Sequence, residues 1–233
     1  MNKKRLVLTV GIVAAAILTV QSITASNMGF KLNYSLLKAT DAAPGGGTSL
    51  TGRQIIALPD NRQTGLGNAK NLLDDIGLAA TQRVERYRTQ TDLYEGYTGR
   101  VGAGQVNFAL SAGEGYRVRM NTTTGYIIVG SDDPAIAYTF LKATDPAPGG
   151  GTSLTGRNVY AYNYHQTAVT AKQLLDEIGL ASVQRIERYR TQTDLFEGYT
   201  GRVGAGQVNF ALTPGEAYRI RMNSTAVYTP SHY

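Results

Sequence analysis

The chain has no cysteine, no tryptophan and only two histidines, and charged residues make up just 17% of its 233 positions. Without cysteine there are no disulfides, no thiolate metal sites, no iron–sulfur cluster and no cysteine nucleophile. Two histidines leave little for a zinc centre or a serine–histidine–aspartate triad. Chemistry resting on carboxylates alone stays open. Low charge beside 15 tyrosines argues against a disordered chain, which has few aromatics and a high net charge. Glycine is abundant, at 27 residues, and hydrophobic residues reach 42%. The length suits one large domain or two of about 100 residues each.

The N-terminus points to a compartment. Lys3, Lys4 and Arg5 precede an apolar run from Leu6 to Val20, and polar and small residues follow from Gln21. This is the three-part layout of a secretory signal peptide, expected over residues 1–26. The run is shorter than the roughly 20 residues a spanning helix needs, so no membrane span is expected in the mature chain. Removing the three basic residues of the signal leaves 20 basic against 17 acidic, a balance of +3. The pI near 9.5 is therefore no nucleic-acid footprint. Most basic residues alternate with acids, as in Arg83-Val84-Glu85-Arg86.

The rest of the chain is written twice. Pro44–Arg53 returns unchanged as Pro148–Arg157, and Tyr87–Leu110 returns as Tyr189–Leu212 with one change, Tyr94 to Phe196. A period near 100 is too long for a solenoid and reads as two copies of one small domain. The expected division is repeat 1 at 27–130, a joint at 131–134 and repeat 2 at 135–233. Alternating apolar residues, such as Tyr116, Val118 and Met120 against Arg117 and Arg119, read as half-buried strands. One segment per repeat has helical spacing and ends at a glycine, which predicts helices at about 70–77 and 172–178, with Thr170 as an N-cap. The expected class is mainly β with one short helix per repeat: two tandem homologous antiparallel β-barrel or sandwich domains.

Little in the sequence carries chemistry. Gly47–Gln54 and Gly151–Asn158 have the glycine spacing of a P-loop, but Arg53 and Arg157 stand where lysine is required, and Gln54 and Asn158 where a hydroxyl is required. They read as flexible surface loops. Val-Gly-Ala-Gly-Gln-Val, at 101–106 and 203–208, reads as a hairpin loop. The acids Asp92 with Glu95, Asp194 with Glu197, and Glu114 with Glu216 sit beside arginines as exposed charge pairs. No enzyme activity, metal site or cofactor is expected. Asn33, Asn121 and Asn223 head glycan-acceptor triplets.

Asn-Phe-Ala-Leu followed by Pro-Gly-Glu-x-Tyr-x-Ile-Arg at 209–221, with 107–119 as a looser copy, resembles a module of bacterial secreted and surface proteins. The helix segment 174–179 and the strand 185–189 share the resemblance. It implies an extracellular β-domain used as a building block and no activity. Such two-domain chains resemble subunits of surface filaments. The expected function is therefore a secreted, self-assembling subunit that polymerises head to tail at the cell surface.

The expected subunit interface has two parts. Phe30, Leu32, Tyr34 and Leu36 form a first strand placed to join another subunit. Tyr160, Tyr162 and Tyr164 replace the Ile56, Leu58 and Asp60 of repeat 1 on one strand face, and with Tyr228 and Tyr233 they adjust the contact. The rival reading makes the three tyrosines a stacking platform for carbohydrate or another surface polymer. No nucleic-acid partner is expected.

Overall fold

The computed structural model describes residues 29–99, 105–201 and 207–233. The expected signal peptide and most of the two Val-Gly-Ala-Gly-Gln-Val stretches lie outside the described residues.

The first half contains β1 (Phe30–Leu36), β2 (Arg53–Ala57), β3 (Asn61–Arg62), α1 (Ala69–Ile76), β4 (Thr81–Arg88), β5 (Leu93–Tyr97), β6 (Gly115–Met120) and β7 (Thr124–Ser131). The second contains β8 (Tyr138–Phe140), β9 (Arg157–Ala161), α2 (Ala171–Ile178), β10 (Val183–Arg190), β11 (Leu195–Tyr199), β12 (Ala217–Met222) and β13 (Ala226–Tyr228). The protein is mainly β and all strand pairs are antiparallel. Each half holds one four-stranded sheet, in the orders β2-β6-β4-β5 and β9-β12-β10-β11. Smaller sheets, β1-β7-β3 and β8-β13, complete the halves. No sheet closes into a barrel, so the barrel alternative does not hold. Among the described residues, no helix is long and apolar enough to cross a membrane.

Both helices form where the spacing predicts. In α1, Ala69, Leu72, Leu73 and Ile76 fall on one buried face. Asn68 caps its N-terminus by accepting from the Asn71 N–H, and Thr170 does the same for α2 from Gln173. Gly77 and Gly179 end the helices at φ near +117° and +115°, a backbone that other residues rarely adopt. The Asn-Phe-Ala-Leu segment also serves each helix start. The Phe108 carbonyl accepts from Ala69 N–H at 2.9 Å, and Asn107 accepts from Lys70 N–H at 2.9 Å. Phe108 and Leu110 meanwhile enter the core.

Each half has its own apolar core under one face of its large sheet. In the first half it joins Leu36, Tyr126 and Ile128 of the small sheet to Ile56, Val84, Tyr116 and Val118 of the large one, with α1 between them. The second repeats this with Phe140, Tyr228, Tyr160, Ile186, Tyr218 and Ile220 around α2. The tyrosine hydroxyls reach polar partners at the core's rim. Tyr116 donates to Glu114 at 2.8 Å and Tyr126 to Asp75 at 2.7 Å; Tyr218 and Tyr228 repeat the pattern on Glu216 and Glu177.

The halves differ at their first strands. All seven residues of β1 pair with β7, whereas β8 pairs with β13 over three residues. The chain spends residues 132–137 crossing from β7 to β8, so the second half's first strand starts late.

Candidate functional site

The faces of the two large sheets that do not cover the cores turn toward each other. Their contact is reciprocal. Asp92, at the β4–β5 turn, accepts from Thr155 Oγ1 at 3.1 Å and from Arg157. Asp194, at the equivalent turn, accepts from Thr51 Oγ1 at 3.0 Å and Arg53 Nη1 at 2.8 Å. Gln90 donates to the Pro148 and Gly150 carbonyls, and Gln192 to those of Pro44 and Gly46. Leu50 N–H bonds to Thr191 O and Leu154 N–H to Thr89 O, both at 2.8 Å. Each contact has a mirror partner made by the other repeat, so the halves are related by an approximate two-fold axis.

This geometry corrects one expectation. The Gly47–Gln54 and Gly151–Asn158 loops are not free surface loops but docking loops seated on the opposite half. Gln54 and Asn158 each clamp their own strand entry, bonding both the N–H and C=O of Leu37 and of Leu141. The contact between repeats is two-fold. A two-fold contact uses the same patch on both partners, so this contact is already satisfied within one chain and is not free to recur between molecules.

At the axis, Ile55, Ala57, Ala161 and Ala217 form a small apolar cluster. Beside it lie two buried carboxylates, each held by arginines: Glu85 by Arg117 and Arg83, Glu187 by Arg219 and Arg185. Arg117 lies 3.8 Å over the Tyr94 ring and Arg219 3.7 Å over Phe196. The Tyr94 hydroxyl is buried without a hydrogen-bond partner. Burial, only partly offset by Arg117 and Arg219, pushes it up to about 12. Phe196 makes the same ring contact with no orphaned hydroxyl.

The acids singled out in the sequence are engaged in structure. Asp92 and Asp194 hold the halves together. Burial disfavours ionised Glu95, but its bonds from Arg86 and Arg88 outweigh that and hold its carboxyl below the ordinary value; Glu197 behaves alike with Arg188 and Arg190. An open cleft of about 500 Å³ runs between Arg86, Arg88 and Gln90 on one side and Thr139, Leu141 and Pro148 on the other. Its two arginines are the ones already paired with Glu95.

The nine expected interface residues separate into two groups. Leu36, Tyr160, Tyr162 and Tyr228 belong to the cores, with Tyr160 0% and Tyr162 3% exposed. Tyr160 donates to Gln166 at 2.6 Å and Tyr162 to the Ala168 carbonyl at 2.7 Å. No stacking platform is therefore available on that strand: its neighbours leave room for tyrosine, and the hydroxyls find partners inside. Leu32 is also buried, and it and Tyr34 pack against Gly215 of the other half. The strand carrying them pairs within the chain rather than standing free. The second group is Phe30, Tyr164 and Tyr233, from three distant parts of the chain. Phe30 meets Tyr164 edge-on at 4.7 Å, His165 lies 6.4 Å from both, and Tyr233 lies 5.7 Å from His165. Tyr233 is 81% exposed, and the Tyr233 N–H anchors the tail on the His165 carbonyl. This aromatic cluster is built once, not twice.

Beside it lies a group that the sequence reading missed. Asp60, in the β2–β3 turn, accepts from Tyr138 Oη at 3.2 Å and from Asp133 N–H at 3.4 Å. Asp132, on the crossing segment, is 7% exposed, and neither carboxylate oxygen has a hydrogen-bond partner. Asn163 is fully buried, and neither of its amide atoms makes a hydrogen bond within 3.5 Å; its amide still lies near enough to the Asp60 carboxylate to favour its ionised form. Burial, reinforced by the Asp60 charge, pushes the Asp132 carboxyl up to about 7, and burial raises Asp60 as well. The available signal was a broken repeat: Pro59-Asp60 in one copy is Asn163-Tyr164 in the other.

No family, curated protein or solved structure matches the chain.

Proposed function

We propose that the protein is a secreted structural subunit, two tandem homologous β-domains locked into one block, that joins head to tail into an extracellular filament. The observation that carries this reading is the aromatic cluster in which half-buried Phe30 and Tyr164 support exposed His165 and Tyr233. A duplicated body related by a two-fold axis offers most surfaces twice, and such surfaces favour closed pairing. A surface built once gives the block a distinct end, and contact between that end and a different surface does not close. Aromatic residues are the side chains most enriched at the centres of protein interfaces. The basic, apolar and polar order of the first 26 residues supports export. The reading assigns no catalysis, and engagement of Asp92, Asp194, Glu95 and Glu197 in structural contacts supports that.

The test is assembly of the mature chain. Negative-stain microscopy and light scattering should show fibres that grow with protein concentration. The pair Phe30→Ser and Tyr233→Ser should stay monomeric while keeping the wild-type circular dichroism spectrum. A wild-type protein that stays monomeric at high concentration, or stops at a closed dimer, overturns the reading.

A further inference from the structure

We propose that the crossing between the halves holds one calcium ion, bound by the Asp60 and Asp132 carboxylates and the amide oxygen of Asn163.

Asp133 N–H bonds the Asp60 carboxylate at 3.4 Å, which brings the crossing segment and the neighbouring Asp132 to Asp60, and no arginine or lysine is among the groups that perturb either acid. The titratable side chains around them are Asp133, Tyr138, Tyr160, Tyr162 and His232. Burial lowers His232, which favours its neutral form, and the tyrosines carry no positive charge. Buried charge elsewhere in this protein is treated differently: Glu85 and Glu187 each receive two arginines. At the crossing the chain supplies negative charge and no counter-charge.

A proton shared by the two acids would reduce the charge. It would leave other groups unanswered, because both Asp132 oxygens and the Asn163 oxygen lack hydrogen-bond partners in a region closed to solvent. Buried polar atoms without partners are costly. One hard cation satisfies all three acceptors at once. Carboxylate and amide oxygens suit calcium, which tolerates irregular oxygen geometry and completes its shell with carbonyls and water. Among the described residues, no group of three or more His, Asp or Glu stands where it could hold a metal, so the third donor here is an amide. The site exists once because Pro59 replaces Asn163 in the other repeat and the crossing segment has no counterpart.

Isothermal titration of the chelator-stripped full mature chain with calcium chloride at pH 7.5 tests this and does not depend on fibre formation. One saturable site per chain is expected, with a dissociation constant no weaker than the ~10⁻³ M end of the extracellular range and a rise in melting temperature. Asp132→Asn should weaken binding at least ten-fold. Asn163→Ala should also weaken it while leaving both carboxylates in place. Asp133→Asn should weaken binding less than Asp132→Asn, since that side chain serves the Ala135 N–H and reaches Asp60 only through its charge. No saturable binding up to millimolar calcium would show a hydrated acid pair neutralised by protons, and would overturn the proposal. Binding unchanged in both Asp132→Asn and Asn163→Ala would also overturn it.

Discussion

Two positions show how single residues are fixed by surroundings that the repeat alone does not reveal. Gly115 and Ala217 are equivalent, yet they differ. A Cβ on Gly115 would lie 2.1 Å from the Ala217 Cβ and 2.8 Å from Val159. The two positions meet at the two-fold axis, where there is room for one methyl and not two. Gly115→Ala should therefore cost about 1–3 kcal/mol, and adding Ala217→Gly should recover most of it in urea melts; no recovery would place the strain elsewhere. Asp132 predicts a pH dependence. Its carboxyl titrates near 7 in the fold against 3.8 ordinarily, so the folded chain binds that proton more tightly. Its contribution to stability falls as pH rises between about 4 and 7. His232, lowered by burial, acts in the opposite sense below its ordinary value. The comparison that isolates Asp132 is the wild type against Asp132→Asn in chelator. The variant's melting temperature should exceed the wild type's by more at pH 8 than at pH 5, and an equal margin would remove Asp132 from the account.

At the scale of elements, the docking loops bind the halves through local geometry that each repeat supplies for the other. The β4–β5 turn holds Asp92 at φ +56°, and the equivalent turn holds Asp194 at +57°. This left-handed backbone is more accessible to aspartate than to most residues. Each aspartate accepts from its own turn's tyrosine, Tyr87 or Tyr189, and from a threonine and an arginine across the axis. Asp92→Ala and Asp194→Ala should each destabilise by about 1–3 kcal/mol, because a partly buried arginine is left without its acceptor. Their effects should match, since the contacts do, and should add within about 0.5 kcal/mol in denaturant titrations, since the two clusters share no partner. Unequal losses would mean that the halves are not held symmetrically. The first strands also belong to this scale. Alternation identified β1, and the structure adds that Leu32 and Tyr34 face the other half across Gly215, as Tyr138 faces Gly113.

For the whole molecule, the two-fold relation makes a strong demand. Every reciprocal contact of the first half, from Thr51 and Arg53 to Gln90 and Asp92, is a pair that two copies of that half could form with each other. The first half alone, residues 29–131, carries its own core. It should elute as a two-fold dimer, and Asp92→Ala combined with Arg53→Ala should make it monomeric. A half that is folded yet monomeric without these changes would show that covalent linkage, not the interface, holds the halves together. Beyond single-residue differences such as Gly115 and Ala217, the described residues depart from symmetry most near the crossing, where Asp132 and Asn163 lie buried beside Asp60 and Phe30, Tyr164 and Tyr233 converge.

The sequence by itself determined the duplication, the mainly β class, both helices and most strand faces. These follow from local periodicity, caps and glycine ends, which act within a few residues. It did not determine that the large sheets pack face to face about a two-fold axis, because the residues involved, Asp92 with Arg157 and Asp194 with Arg53, are far apart and read locally as exposed charge. Nor could periodicity tell that the Tyr160 and Tyr162 face points into a core rather than toward solvent. A strand's alternation gives two faces, and only the packing of the other elements decides which one is covered. The crossing site is the extreme case: its acids lie some 70 residues apart, and nothing near either one signals the other.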